Sequence, residues 1–274
     1  MTNRPTDTPA GTPPNSHAET DAGPGGFYVG DQPLPAADRR TLKPLVPLLL
    51  WGLCCVAAGA ALLAGPGGDG AWLTDDSQTH RGVLVADPYP ALVLTDQHGS
   101  TARLFLTEPG KTGPRDGLAE LAGQHAELTG FLMTRDGRRV LEMIPGDQGL
   151  TILDRDAPAT NHSTPQPVGD VELAGEIVDF KCYLGAMKPG SGRTHRACAI
   201  LCVAGGVPPA LVVPTGDGDG DGPPAAFILT DPDGGPLNGA LLPHIGLPVT
   251  VAGRASLVDG ELYLATSPDQ ITRR

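Results

Sequence analysis

A long apolar run near the N-terminus constrains this chain more than any other feature. Residues 45–64 form a stretch of twenty residues without a charged side chain. Because a helix rises 1.5 Å per residue, twenty residues span the roughly 30 Å apolar core of a bilayer. We therefore predict one transmembrane helix over residues 44–65. Pro44 and Pro47 are expected in its first turn, where proline is tolerated.

The basic residues around this run predict its orientation. Arg39, Arg40 and Lys43 all precede it, and positively charged flanks stay in the cytoplasm. The protein is therefore expected in the cell membrane, with a cytoplasmic N-terminus and a periplasmic or outer-face C-terminal part. Two alternatives remain open. One is a signal peptide cleaved near residues 58–60. The other is a twin-arginine export signal at Arg39 and Arg40, one residue short of the usual spacing.

Composition divides the rest of the chain. The predicted segments are a disordered cytoplasmic tail over 1–43, a spacer over 66–79, a first β domain over 80–150, a linker over 151–169 and a second β domain over 170–274. The chain contains 38 Gly and 29 Pro, which favour turns and short strands over long helices. Its net charge of −12 and its 4% aromatic content argue against nucleic acid as a partner.

The two β domains repeat one pattern in three blocks. The paired blocks are Gly82-Val83-Leu84-Val85 with Gly175-Glu176-Ile177-Val178, Leu94-Thr95-Asp96 with Leu229-Thr230-Asp231, and Gly123…Gly130…Asp136-Gly137 with Gly246…Gly253…Asp259-Gly260. An Asp-Gly pair between alternating apolar runs is a strong hairpin signal. We expect a mainly β protein with two small OB-like β-barrels in tandem, each with a short helix before its last hairpin, as at residues 117–122 in the first.

The same alignment predicts an insert in the second barrel. The distance from the first glycine to the Leu-Thr-Asp block is 42 residues longer in the second half than in the first. The insert is assigned to residues 180–222, and it carries every cysteine outside the apolar run. Function tends to lie on segments added to a scaffold.

A Cys/His cluster is predicted in this insert. Thr194 is expected to cap a helix over 197–204, which would place His195, Cys198 and Cys202 on one face. Cys182 would reach them from the preceding strand or loop. Three thiolates and an imidazole form a complete ligand set for zinc, copper or an iron–sulfur cluster, and Met187 is a further soft donor for copper.

Two alternatives use the same cysteines. Disulfides are the default in exported domains, so Cys182 could bridge to Cys198 or Cys202 and leave one thiol over. A Cys198–Cys202 bridge is disfavoured because residues four apart on a helix stand too far apart. The other alternative is a reactive thiol activated by His195 and the helix N-terminus.

The insert resembles a segment found in a group of bacterial membrane-anchored proteins of unassigned activity. The matching residues are Lys181, Cys182, Tyr183, Gly185, Met187, Pro189, Gly190, Gly192, His195, Arg196, Cys198, Ala199, Cys202, Gly205, Gly206, Pro208 and Pro209. The resemblance covers about 40 residues. It implies a specialised segment and carries over no chemistry.

An acidic stretch further on resembles the opening of a calcium loop. It contains Asp217, Asp219 and Asp221, but Ile228 stands where the bidentate glutamate is needed. We interpret it as a flexible acidic loop.

Three functions follow from these observations. The first is a membrane-anchored extracytoplasmic accessory protein, metal-binding or redox-linked, that serves a membrane redox or assembly complex. The second is a structural or interaction protein stapled by a disulfide. The third is a thiol–disulfide oxidoreductase. The sequence does not decide whether the protein is an enzyme.

Overall fold

The computed structural model describes residues 36–63, 70–115, 117–154, 164–215 and 223–274. The chain divides into two compact units, Met1–Gly65 and Pro66–Arg274. The acidic stretch with Asp217, Asp219 and Asp221 lies outside the described residues, as do most of the predicted tail and the centre of the predicted linker.

The first unit contains helix α1 (Ala36–Leu63). Its segment Asp38–Gly59 is long and apolar enough to cross a membrane. The helix begins before residue 44, so Pro44 and Pro47 lie inside it. The prediction that they occupy the first turn was wrong, because residues 36–43 are already helical and extend the helix ahead of the apolar run.

The second unit contains twelve strands. In the first half they are β1 (Ala71–Val85), β2 (Ala91–Thr95), β3 (Thr101–Thr107), β4 (His125–Arg135), β5 (Arg138–Met143) and β6 (Leu150–Asp154). In the second half they are β7 (Gln166–Asp179), β8 (Pro209–Val213), β9 (Ala225–Thr230), β10 (Pro248–Val258), β11 (Glu261–Ala265) and β12 (Ile271–Arg273). Strand β1 includes part of the predicted spacer, while β6 and the start of β7 occupy the ends of the predicted linker.

Each half closes into a five-stranded barrel, as predicted. The first has the order β1-β2-β3-β5-β4 and closes through β1–β4, and the second has the order β7-β8-β9-β11-β10 and closes through β7–β10. In both barrels the pairing β3–β5 or β9–β11 is parallel and the others are antiparallel. Strand β6 lies beside β4 of the first barrel, and β12 lies beside β10 of the second. This strand order is that of the predicted OB-like fold.

The short helices also follow the repeat. A 3-10 helix at Leu118–Leu121 precedes the last hairpin of the first barrel, and helix α3 (Asn238–Leu241) takes the same place in the second. Both hairpins turn through Asp-Gly pairs with positive φ, 50° at Asp136 and 47° at Asp259. Two consecutive positive φ values define the type I′ turn that these dipeptides favour.

Strand pairing confirms the first and last blocks of the repeat and corrects the middle one. Ala91 pairs with Phe105 in the first barrel, and Ala210 pairs with Ile228 in the second. Leu229-Thr230 therefore ends β9, the counterpart of β3, whereas Leu94-Thr95 ends β2. The paired Leu-Thr-Asp motifs are a chance recurrence at the ends of different strands.

The correction changes the extent of the insert. Strand β8 lies inside the range 180–222, so that range is not a single insertion. The connection from β7 to β8 covers residues 180–208, against residues 86–90 between β1 and β2. We call residues 180–208 the Cys/His loop, and it contains all of the predicted cluster.

The two barrels share a hydrophobic core built from equivalent positions. Its members include the topologically matched pairs Val85 and Val178, Ala91 and Ala210, Phe105 and Ile228, and Val140 and Tyr263. The Cys/His loop contributes Phe180, whose ring meets that of Phe105 edge-on with centroids 5.5 Å apart. The loop is therefore packed between the barrels as part of their common core.

Candidate metal centre

A helical turn places Cys182 beside the end of β7. The chain leaves β7 at Asp179 and enters a π-helical turn, Cys182–Ala186, that is mostly buried. The Asp179 carboxylate, which is fully buried, accepts the backbone N–H of Cys182 at 2.8 Å. This hydrogen bond fixes the start of the turn and directs the thiol inward.

Helix α2 (Arg196–Ala204) supplies the other candidate ligands. His195, rather than the predicted Thr194, occupies its N-cap, and it makes no side-chain capping bond. The helix therefore begins one residue later than a Thr194 cap would place it, and the His195 imidazole faces Asp179. Cys198 is partly exposed and Cys202 is buried.

The structure brings these side chains together as two overlapping sets. The ligand atoms of Cys182, His195 and Cys198 lie within 4.8 Å of one another, and so do those of Asp179, Cys182 and Cys202. Among the described residues, no single set within that limit contains all four predicted ligands. Cys182 is common to both sets and is therefore the centre of the cluster.

A metal ion fits the donors with a modest contraction. Zinc bonds of 2.0–2.3 Å place the ligand atoms of a tetrahedral site about 3.5 Å apart. The 4.8 Å limit exceeds this by about 1.3 Å, a distance that side-chain rotations can supply. The Cys/His cluster can therefore hold a metal ion. Met187 is 47% exposed at the surface of the loop.

The imidazole is oriented by a carboxylate. His195 Nε2 lies 2.9 Å from Asp179 Oδ2, and both side chains are buried. Because an ionised carboxylate only accepts, the ring donates from Nε2, which makes Nδ1 the nitrogen that can bind a metal when the ring is neutral. A carboxylate behind a ligating histidine is the usual outer-shell partner in metal sites. The sequence patterns gave no indication of this role for Asp179.

A hydrogen bond shifts the pKa values of the two buried thiols in opposite directions. Cys182 donates to Cys202, which raises the pKa of Cys182, with burial adding to the effect. The same bond lowers the pKa of Cys202 against the opposing effect of burial, and Lys111 and Cys198 lower it further. Cys202 is thus the thiol that the cluster favours as thiolate, the form that binds metals.

A lysine from the first barrel reaches the cluster. Lys111 Nζ lies 2.6 Å from Cys198 Sγ, and this hydrogen bond raises the pKa of the lysine. Lys111 belongs to residues 108–112, which follow β3 and which we call the Lys111 loop. The sequence reasoning missed this residue, because 87 positions separate it from Cys198.

A second lysine anchors the Lys111 loop. Lys181 Nζ donates to the backbone oxygens of Glu108 at 2.7 Å and Gly110 at 3.0 Å, and it pairs with the Glu142 carboxylate at 2.5 Å. Its side chain is almost completely buried. Burying a charge is costly unless it is paired and hydrogen-bonded, and here it is both. Lys181 therefore ties the start of the Cys/His loop to the Lys111 loop.

Glycines allow the close packing around the cluster. A Cβ on Gly190 would lie 2.3 Å from the Cys182 carbonyl oxygen, and one on Gly205 would lie 2.0 Å from the Lys111 carbonyl oxygen. Gly113 N donates to Gly205 O at 2.7 Å. Glycine is required at 190 and 205 because the backbone approaches too closely there for a side chain.

All five cysteines are free thiols in the structure. Comparison with protein-family models, curated proteins and solved structures gave no match.

Proposed function

We propose that this protein is a membrane-anchored extracytoplasmic accessory protein whose Cys/His cluster binds a soft metal ion. The observation that carries the proposal is the convergence of Cys182, His195 and Cys198 within 4.8 Å, with Cys202 joined to the group through Cys182. Two or three thiolates with one imidazole suit zinc or copper(I) and are poor ligands for magnesium or calcium.

The surroundings of the cluster support a bound cation. Asp179 orients His195, and Cys202 is favoured as thiolate. A zinc ion with three thiolates and an imidazole carries one net negative charge, which the Lys111 ammonium beside Cys198 would balance. Since Cys198 is partly exposed, a metal here would be reachable from solvent, as a metal-transfer or redox-linked site requires.

The location is part of the same proposal. Helix α1 is long enough to span a bilayer, and Arg39, Arg40 and Lys43 on its N-terminal side favour a cytoplasmic N-terminus. We propose a membrane redox or assembly complex as the partner. A reporter enzyme that works only outside the cytoplasm should be active when it is fused after Arg274. If that reporter is inactive, and a second reporter that fluoresces only in the cytoplasm is bright, the orientation is the reverse of the one proposed.

Metal content tests the central claim. Full-length protein purified in detergent without added metal should contain about one zinc or copper per chain by elemental analysis, with an absorption spectrum to reveal copper or an iron–sulfur cluster. Cys182→Ser should lose it, because Cys182 belongs to both ligand sets. The matched control is Cys54→Ser, which changes a thiol in α1 and should keep the metal. Retention of full metal content by a folded Cys182→Ser variant would reject the ligand assignment.

The contact between Lys111 and Cys198 favours one second candidate, thiol–disulfide exchange. Cys198 is the most exposed cysteine of the cluster, and its Sγ lies 2.6 Å from Lys111 Nζ. Its thiolate would attack a partner disulfide, forming a mixed disulfide and releasing one partner thiolate. Cys182 would then attack Cys198, release the second partner thiolate and leave this chain oxidised and the partner reduced.

Thiol counts distinguish the candidates. In denaturant with a chelator, a metal site should give five reactive thiols per full-length chain, because Cys54 and Cys55 react as well as the three cysteines of the cluster, whereas a structural disulfide should give three. If exchange is the function, the disulfide of the purified protein should be reduced reversibly, at a reduction potential near that of cellular dithiol carriers. Lys111→Met should then shift that reduction potential. A metal-loaded protein with three protected thiols would exclude exchange as the resting function.

A further inference from the structure

A basic cavity lies at the start of α2, on a chain whose net charge is −12. Its volume is about 530 Å³. The lining residues are Arg193, Arg196, Leu247, Pro248, Arg273 and Arg274. Four arginines line this one cavity, in contrast with the acidic character of the protein.

The fold brings the arginines together from two directions. Arg193 and Arg196 belong to the Cys/His loop and the first turn of α2. Arg273 arrives because β12 pairs with the start of β10, where Val249 lies opposite it. The backbone N–H of Arg274 then donates to the Pro248 carbonyl at 3.0 Å.

The guanidinium groups of Arg196 and Arg273 are held in place by backbone carbonyls, one of which they share. Arg196 donates to the carbonyls of Ile245 at 2.9 Å and Pro243 at 3.3 Å, and Arg273 donates to the same Pro243 carbonyl at 3.0 Å. Gly246, at a φ of +67°, lets the chain pass beneath Arg196, because a Cβ there would lie 2.8 Å from Arg196 Cβ. The cavity is thus partly preorganised.

No side-chain carboxylate lies within ion-pair distance of these arginines in the described part of the chain. None of the four arginines forms an ion pair there. Glu176 lies opposite Pro248 in the β7–β10 ladder, and its carboxylate accepts a hydrogen bond from the backbone N–H of Gly192. Burial, and to a lesser extent the positive charge of Arg273, lower the pKa of the neighbouring His244.

We propose that the basic cavity binds a multivalent oxyanion of the phosphate or sulfate type. Guanidinium forks match the oxygens of such anions with paired, charge-assisted hydrogen bonds. Two guanidinium groups fixed on one carbonyl repel each other, and a bound dianion removes that repulsion. The site is independent of the metal proposal, because no ligand of the Cys/His cluster lines it.

Calorimetric titration of the full-length protein in detergent with inorganic phosphate tests the proposal. The titration uses low ionic strength, since salt screens exposed charges. Saturable binding at one site per chain is expected. Arg193→Gln and Arg273→Gln should each weaken it about tenfold or more, the loss of one charge-assisted contact. Arg196 is left intact because its backbone contacts hold the fold.

Arg81→Gln is the matched control, because it removes an exposed arginine from the first barrel and leaves the cavity unchanged. A parallel arm measures binding to phosphatidylcholine vesicles with and without phosphatidic acid, after inserting the protein in neutral nanodiscs. Binding of free phosphate alone, or also of the lipid phosphate, supports the site and identifies the source of its anion. Absence of saturable binding in both arms overturns the proposal, and so does an equal loss in Arg81→Gln.

Discussion

At the scale of single residues, the Cys/His cluster depends on charges that sequence patterns did not reveal. That Cys182, His195 and Cys198 lie close together was predictable, because cysteine and histidine are scarce and His195 and Cys198 have helical spacing. Asp179 and Lys111 were not predictable, because their roles come from packing between segments far apart in the chain. An aspartate at the end of a strand has many ordinary uses, and only the fold shows that this one faces His195.

Replacing Asp179 with asparagine should weaken metal binding without unfolding the protein. Asparagine keeps the shape and an acceptor oxygen but loses the charge that orients and polarises His195. Changes of this kind cost about 10- to 100-fold in metal affinity. Competition with a chromophoric zinc chelator measures the change. Asp170→Asn, on the exposed part of the same strand, should have no effect, and unchanged affinity in a folded Asp179→Asn variant would argue against the metal centre.

At the scale of elements, sequence signals predicted the structures that depend on neighbouring residues, such as turns and short helices. The Asp-Gly hairpins and the short helix before the first of them follow from turn chemistry and apolar alternation, and both are observed. The middle block of the repeat failed for a different reason. Leu-Thr-Asp suits any strand that ends in a turn, so its recurrence identifies strand ends but not which strand. Only the pairing of Ala210 with Ile228 assigns the second copy to β9.

The junction between α2 and the Lys111 loop should be sensitive to a single methyl group. Gly205→Ala places a Cβ 2.0 Å from the Lys111 carbonyl, so the loop must move away. Overpacking of this kind costs about 1–3 kcal/mol, and the displacement should also weaken metal affinity. Denaturant unfolding measures the first effect and chelator competition the second.

The matched control is Gly239→Ala in α3, where a new Cβ meets nothing within 4 Å. An added methyl in a helix is neutral or slightly stabilising. If Gly205→Ala behaved like this control, the close contact between the two segments would be wrong.

At the scale of the whole molecule, the two barrels act as one body. Tyr89 of the first barrel accepts the N–H of Leu237 at 3.1 Å and donates to the Leu229 carbonyl at 2.9 Å, both in the second barrel. Arg103 forms a buried pair with Asp259 at 3.0 Å across the same boundary. Such contacts could not be derived from the repeat, because the repeat describes each barrel but not the face through which they meet.

A buried glutamate at this boundary should make stability depend on pH. Burial raises the pKa of Glu261 to about 7, against the lowering effect of Arg138, Arg139 and Arg103. Between its ordinary value of 4.5 and about 7, the folded protein binds more protons at this group than the unfolded chain. Stability from this source is therefore present at low pH and lost as pH rises towards 7.

Urea unfolding at about pH 5 and pH 8 measures this contribution. Relative to Glu261→Gln, the native protein should lose about 2–3 kcal/mol over that interval. Glu172→Gln, an exposed site in the same barrel, should follow the native pH profile. A Glu261→Gln variant with the native profile would show that the carboxyl is ionised and paired with Arg138 throughout.

The core shared through matched positions has a consequence for assembly. Val85 and Val178 occupy matched strand positions, as do Phe105 and Ile228, and all four lie in one hydrophobic core to which each barrel contributes equivalent residues. Here both faces belong to one polypeptide, so their local concentration is fixed by the connecting segment at about the millimolar level. Dilution that would dissociate an equivalent homodimer therefore leaves this pair of barrels associated, and the Lys111 loop remains beside the cysteines at any protein concentration.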